Sequence, residues 1–250
     1  TDNDVDFGLT RGSLGNVVFH DENGDGLFNP AEEDPIPGVT VRLFREGIAT
    51  PVFETVTDNS GLYNIPNIAA VNYYATFDVS TAASPANSFV ASPQPEGVTV
   101  NPAETASPGI DYSDVITQVN ETTWRTPLFR PIAGIANNGV DAGFYQLTTV
   151  SGRAFFDTDG DDQDETTPEP GMRAVTVRLL RSGDLSQAAT TTTDAAGGYT
   201  LADVAPGSYV VEFANPSSAT YSFVAAGVPT SSDPLASDVT DSATGRTNPF

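Results

Sequence analysis

Val39-Thr40-Val41-Arg42-Leu43 alternates apolar and polar side chains, and the same five residues return as Val175-Thr176-Val177-Arg178-Leu179. A period of two places Val39, Val41 and Leu43 on one face and Thr40 and Arg42 on the other, the pattern of a strand buried on one side. The recurrence extends well beyond this strand. At one constant offset, without a gap, Asp21 becomes Asp157, Asp58 becomes Asp194, Gly61 becomes Gly197, Tyr63 becomes Tyr199 and Tyr73 becomes Tyr209. Further on, Ser88-Phe89-Val90-Ala91 recurs as Ser222-Phe223-Val224-Ala225. The chain therefore reads as two copies of one domain.

Within each copy, short apolar alternations are separated by turn residues at the spacing of about 8 to 12 residues expected of a sandwich. Asp58-Asn59-Ser60-Gly61 and Asp194-Ala195-Ala196-Gly197 are turns, with aspartate for local backbone hydrogen bonding and glycine for positive φ. No segment carries a helical apolar stripe over three turns. The expected fold is all-β, two tandem immunoglobulin-like Greek-key sandwiches. Val5-Asp6-Phe7-Gly8-Leu9 matches Val140-Asp141-Ala142-Gly143-Phe144, the closing strand of the first copy. Residues 1–12 are thus expected to hold the closing strand of a preceding or neighbouring repeat, residues 13–147 the first sandwich, and residues 148–250 a second sandwich without its final strand.

Thirty-three acidic residues against 10 basic ones give a formal charge of −23. Such a field repels phosphate backbones and anionic headgroups, so neither nucleic acid nor membrane insertion is expected. All 10 basic residues are arginine, and cysteine is absent, which removes disulfides, thiolate metal sites and cysteine nucleophiles. No apolar run approaches the roughly 20 residues of a spanning helix, and Thr1-Asp2-Asn3-Asp4 does not open like a signal peptide. The expectation is a soluble, mature or excised piece.

The segment Asp21-Glu22-Asn23-Gly24-Asp25-Gly26-Leu27-Phe28-Asn29-Pro30-Ala31-Glu32 carries the chemistry. Oxygen ligands at positions 1, 3 and 5 (Asp21, Asn23, Asp25), glycine at 6 and glutamate at 12 (Glu32) form the calcium-loop pattern, in which alternate side chains converge on a hard cation. Leu27 at position 7 offers its carbonyl, and Asn29 at position 9 binds directly or through water. The second copy keeps Asp157, Asp159 and Asp161 at positions 1, 3 and 5 and has Gln163 at 7. It replaces the glycine with Asp162 and position 12 with Pro168, so that Glu169 stands in for the final glutamate. Apparent strands flank each loop, so the expected cofactor is structural Ca²⁺ on a sandwich edge rather than a helix-loop-helix switch. Asp111 and Asp114, and in the other copy Asp233, Asp238 and Asp241, are candidates for a second cation site, with a solvated acidic loop as the alternative.

Several segments together resemble the B-type repeats of serine-aspartate-repeat surface adhesins, within the collagen-adhesin B or prealbumin-like superfamily. They are Gly15-Asn16-Val17-Val18-Phe19, the Asp21 to Glu32 loop, Ile36-Pro37-Gly38-Val39-Thr40-Val41, Thr57-Asp58-Asn59-Ser60-Gly61-Leu62-Tyr63 and Val140-Asp141-Ala142-Gly143-Phe144-Tyr145. The resemblance implies prealbumin-like sandwiches, structural calcium, and a rigid stalk or filament backbone on a bacterial cell surface. Many relatives carry lysine-asparagine isopeptide bonds or sortase linkages through lysine. A chain without lysine can use neither.

No enzyme is expected. The one histidine, His20, sits where the second copy has Phe156, and no histidine-based triad recurs in both copies. A rival reading is a carbohydrate-binding or adhesive module, with a surface glycan or host ligand on Tyr73, Tyr74, Tyr112 and Trp124. Trp124 has no counterpart in the second copy. The phase of the ends gives two further expectations: a longer array cut at arbitrary points, or identical subunits joined head to tail. In the second case Val5, Asp6, Phe7, Gly8 and Leu9 of one subunit complete the second domain of the next.

Overall fold

A computed structural model describes residues 11–82, 89–93, 111–115, 117–160, 163–164, 169–217, 220–223 and 238–250. Val5, Asp6, Phe7, Gly8, Leu9, Asp161 and Asp233, with the side chains of Asp111 and Tyr112, lie outside the described residues. The chain divides into two compact units, Thr1–Gln146 and Leu147–Phe250. It is all-β. Among the described residues the helical content is one 3-10 turn, Val79–Thr81, and no helix is long and apolar enough to cross a membrane.

Unit 1 contains β1 (Gly12–His20), β2 (Leu27–Phe28), β3 (Thr40–Arg45), β4 (Phe53–Val56), β5 (Leu62–Ile68), β6 (Tyr73–Asp78), β7 (Phe89–Ala91), β8 (Asp111–Tyr112), β9 (Thr117–Asn120), β10 (Thr123–Arg125), β11 (Ala136–Asn137) and β12 (Ala142–Gln146). One sheet runs β11-β1-β12-β7 with β5 also on β1, the other runs β4-β3-β6-β10-β9, and β2 and β8 form a short ribbon. Strand β1 pairs antiparallel with β5 but parallel with both β11 and β12. The core fills the space between the sheets, with Leu14, Val18, Tyr63 and Ile65 facing Val41, Leu43, Ala75, Phe77 and Trp124. As the alternation requires, Val41 and Leu43 are fully buried while Arg42 turns outward to Glu54 at 2.6 Å and Asp78 at 3.3 Å.

Unit 2 repeats most of this plan with β13 (Thr148–Arg153), β14 (Thr176–Arg181), β15 (Gln187–Thr192), β16 (Gly198–Val204), β17 (Tyr209–Phe213), β18 (Val239–Asp241) and β19 (Arg246–Thr247). The sheet β15-β14-β17-β19-β18 reproduces β4-β3-β6-β10-β9, and β13-β16 reproduces β1-β5. Among the described residues, β13 has no strand corresponding to β11 or β12.

The same local devices hold both copies. Asp58 Oδ1 accepts the Ser60 and Leu62 N–H groups, and Asp194 Oδ1 accepts those of Ala196 and Gly198. Each turn places its glycine at positive φ, Gly61 at 67° and Gly197 at 83°, where a side chain is strained. Buried Thr57 takes the Val39 N–H and donates to the Ile36 carbonyl, while Thr193 does the same for Val175 and Met172.

Candidate functional site: two acidic loops

Both acidic loops leave the end of the first strand of their unit. Asp21 follows β1 directly, is fully buried, and gives its N–H to the Phe144 carbonyl at 2.9 Å. Its carboxylate organises the loop: Oδ1 accepts Gly24 N–H at 2.7 Å and Asp25 N–H at 3.2 Å, and Oδ2 accepts Gly26 N–H at 2.8 Å. Asn23 Oδ1 accepts Asp25 N–H, and Asp25 Oδ1 accepts Leu27 N–H, both at 2.8 Å. Pairing of β2 with β8, and a bond from Ser113 N–H to the Gly26 carbonyl, tie the loop to the sandwich.

Carboxylate oxygens of Asp21, Asp25 and Glu33 gather within 4.8 Å of one another. The sequence motif points to Glu32, but Glu32 is exposed, and it is Glu33 that turns inward, 5% exposed. The cause is a turn at Asn29, whose carbonyl accepts the N–H groups of both Glu32 and Glu33 while Glu33 Oε2 accepts Asn29 N–H at 3.0 Å. Glu33 Oε1 is buried without a hydrogen-bond partner. Burial, followed by the Asp21 and Asp25 charges, pushes the Glu33 carboxyl up to about 7, against the lowering effect of Asn29 N–H. Asn29 Oδ1 accepts the Ala31 N–H and so serves the turn.

Unit 2 builds the corresponding cluster from Asp157, Asp159 and Glu169, again within 4.8 Å. Glu169 Oε1 accepts the N–H and hydroxyl of Thr158 at 2.5 and 2.7 Å, and Glu169 Oε2 is buried without a partner. Asp157 Oδ1 accepts Gly160 N–H at 2.6 Å. Arg153 bonds both the Asp164 carboxylate and the Glu169 carbonyl, anchoring the loop's far end to β13. Gln163 sits at an intermediate depth beside this anchor. The offset that carries Asp21 to Asp157 also carries Glu33 to Glu169; this repeat signal, rather than the motif's twelfth position, identifies the inward glutamate.

These clusters fit a hard divalent cation. Each offers several carboxylate oxygens and one buried oxygen left unsatisfied, which a native fold rarely retains without a partner. Asp21, Asp25 and Glu33 in unit 1, and Asp157, Asp159 and Glu169 in unit 2, are the side chains placed to hold it.

Of the candidates for a second cation site, Asp114, Asp238 and Asp241 are described, and none of them belongs to an acidic cluster among the described residues. Asp114 is buried, and its Oδ2 accepts Asp141 N–H at 3.0 Å, which clamps β12. Asp238 is exposed. Asp241 caps the β18-β19 turn through Ala243 N–H and the Thr244 hydroxyl. Of the aromatic set, Tyr73 and Trp124 are buried, and Trp124 packs edge-on against Phe144 at 5.4 Å. Tyr74 instead stacks on Phe44 at 5.0 Å beneath Arg125. His20 ends β1 beside Phe89 and Glu22.

A family model described as SdrD B-like domain matches residues 12–144 and 148–250. Colossin-A of Dictyostelium discoideum is 32% identical over 217 residues, 86% of this chain and 2% of that protein. Serine-aspartate repeat-containing protein D of Staphylococcus aureus strain Newman is 29% identical over 221 residues, 88% of this chain and 15% of that protein. The chain thus spans only a small part of these relatives. Among solved structures, GBS52, the minor pilin of Streptococcus agalactiae, aligns with a TM-score of 0.28 at 15% identity, covering 87% of each chain. The shaft pilin SpaA of Lactobacillus rhamnosus GG aligns with a TM-score of 0.28 at 12% identity, covering 86% of this chain and 91% of that one.

Proposed function

Because the chain belongs to the SdrD B-like domain family, we propose that it is a non-catalytic structural module of an extracellular surface protein, a stalk or filament segment stapled by Ca²⁺. The observation that carries the calcium reading is the pair of buried, unpartnered glutamate oxygens, Glu33 Oε1 and Glu169 Oε2, at equivalent places in two acidic loops. A cation at such a loop joins the end of the first strand to the turn that follows it. Metal that binds only the folded form contributes about 2.7 kcal/mol at a hundredfold excess over Kd. For a cysteine-free sandwich, that is a substantial share of the usual 5–15 kcal/mol of a domain.

Thermal unfolding in millimolar calcium and in chelator tests this function. The expected result is a clear loss of melting temperature in chelator, restored by calcium. Coincident melting curves would overturn it. The name of one relative, a serine-aspartate repeat-containing protein, supports neighbouring repeats as partners. Head-to-tail joining of modules through a strand passed from one to the next completes the reading.

A further inference from the structure

The hairpin of β9 and β10 sets unit 1 apart from unit 2. Arg125 faces Thr117 across it, as Arg246 faces Asp241 in the other unit, but the stretch between the facing residues is three residues longer in unit 1. The added length brings Asn120 opposite Thr123 at a tight tip and runs β9, Thr117–Asn120, along the edge of the sheet β4-β3-β6-β10-β9. All four residues of β9 are exposed, Val119 at 54%, and none is charged. An uncharged edge with open N–H and C=O groups is a template for another strand. In unit 2 the edge strand β18, Val239–Asp241, is shorter, buries its valine and ends on an aspartate.

The tip of the unit 1 hairpin carries Asn120-Glu121-Thr122, the Asn-x-Thr triplet that N-linked glycosylation reads. Asn215 begins the one other Asn-x-Ser/Thr triplet of the chain, and Pro216 in its middle disqualifies it. At the tip, Asn120 Oδ1 accepts Thr122 N–H at 3.0 Å, and the Thr122 hydroxyl donates toward the same oxygen at 3.4 Å. The Thr122 carbonyl is pinned by Val79 N–H at 2.9 Å, and the hydroxyl also reaches Asp78 Oδ1 at 3.4 Å. Asn120 is exposed, and its Nδ2 makes no hydrogen bond among the described residues. A substituent on Nδ2 therefore displaces no native contact there. Asn215 Nδ2, by contrast, donates to the Tyr221 carbonyl at 2.8 Å. The two donors at Asn120 Oδ1 face the atom on which charge develops when Nδ2 gives up a proton.

We propose that Asn120 is an N-glycosylation site and that its glycan covers the open edge of β9. The donor class is a glycan carried on a lipid diphosphate and handled by a membrane-bound oligosaccharyl transferase. Asn120 Nδ2 attacks C1 of the first sugar and forms the C1–N bond. The C1–O bond breaks, its electron pair leaves with the lipid diphosphate, and Nδ2 loses one proton to a base of the transferase. The triplet is contiguous and sits at a hairpin tip, so the transferase reaches it before or after the sandwich closes. A bulky hydrated group at the end of β9 then keeps an incoming strand off the edge. The proposal rests on the extracellular reading above, since such donors meet only exported chains.

The test has two arms. In the first, the 250-residue chain is secreted from a eukaryotic host that attaches N-glycans and is mapped by peptide mass spectrometry. A glycan is expected on Asn120, absent from Asn120→Gln and Thr122→Ala, and retained at lower occupancy in Thr122→Ser. Analytical ultracentrifugation then compares this chain before and after an endoglycosidase. The trimmed chain and Asn120→Gln should associate at concentrations where the glycosylated chain stays monomeric, and adding Val119→Lys to Asn120→Gln should restore the monomer. In the second arm, the natural protein is fractionated from its own cells, and the peptide carrying Asn120 should bear a glycan in the surface fraction. Bare Asn120 in the secreted chain or in the surface fraction overturns the site. Equal association with and without the glycan, or association that Val119→Lys leaves in place, overturns the shielding of β9. A natural protein found only inside the cell overturns the extracellular reading itself, whatever the first arm shows.

Discussion

Replacing Glu33 with glutamine should shift stability in opposite directions with and without calcium. In the calcium-free protein, burial and the neighbouring Asp21 and Asp25 charges raise the Glu33 carboxyl from 4.5 to about 7. A carboxyl raised in the folded state binds its proton more tightly there. Its contribution is therefore complete below the unfolded value and is lost as pH climbs through 7. At about 1.4 kcal/mol per pKa unit, the loss approaches about 3 kcal/mol at mildly alkaline pH. Glutamine has the same shape and no charge to desolvate, so calcium-free Glu33→Gln should melt above calcium-free wild type near pH 8 and close to it near pH 4. With calcium the order reverses. Wild type gains about 2.7 kcal/mol at a hundredfold excess over Kd, and the variant, without a charged ligand in the buried position, forfeits most of that gain. Scanning calorimetry of the unit 1 transition, in chelator and in calcium at both pH values, reads the four states. A variant that is destabilised equally in chelator and in calcium refutes the reasoning, because Glu33 would then be acting through packing alone.

Trp124→Ala should cost about 3–5 kcal/mol in the unfolding of unit 1, because it empties the core space beside Phe144; denaturant titration measures this, and a loss below about 1 kcal/mol would contradict the burial. Gly61→Ala should destabilise by more than about 1 kcal/mol, since φ is 67° there and a Cβ would lie 2.4 Å from the Val18 carbonyl oxygen; a neutral melting shift would be inconsistent with that turn. In unit 2, burial raises the Glu212 carboxyl, but hydrogen bonds from Arg246 and Arg178 outweigh it and hold the group below the usual range. Its stabilisation is present above the unfolded pKa and vanishes as pH falls through the lower folded value, so Glu212→Gln should flatten the acid side of the stability profile. An unchanged acid limb in urea titrations would count against that pair of ion bonds.

The strands were legible because the sequence states them twice. Val39–Leu43 and Val175–Leu179 become β3 and β14 with the valines and leucines inward, and the aspartate-glycine turns fall where the repeated Asp58 and Asp194 place them. In the first acidic loop Asp21 and Asp25 gather as the linear template places them, but with Glu33 in place of Glu32. A linear template counts positions, whereas the turn at Asn29 decides which of two adjacent glutamates faces inward, and that turn depends on hydrogen bonds a template does not contain. Asp114 Oδ2 accepts Asp141 N–H, a contact with no local signature because the two residues lie far apart along the chain. Trp124, present in one copy only, read as a surface aromatic, yet it fills core space beside Phe144 on the strand that closes the unit. The parallel pairing of β1 with β12 has no local signature, since it joins the two ends of the domain.

That pairing has a mechanical consequence. Pulling the ends of unit 1 apart draws β1 and β12 past each other along their length, so the bonds of Val17 to Asp141 and of Asp21 to Phe144, with the ladder between them, are loaded in shear and must rupture together. A ladder opened from one end would instead unzip bond by bond at low force. Single-molecule pulling on unit 1 should show a high-force event that Asp141→Ala lowers, and an unchanged rupture force would show that the clamp lies elsewhere.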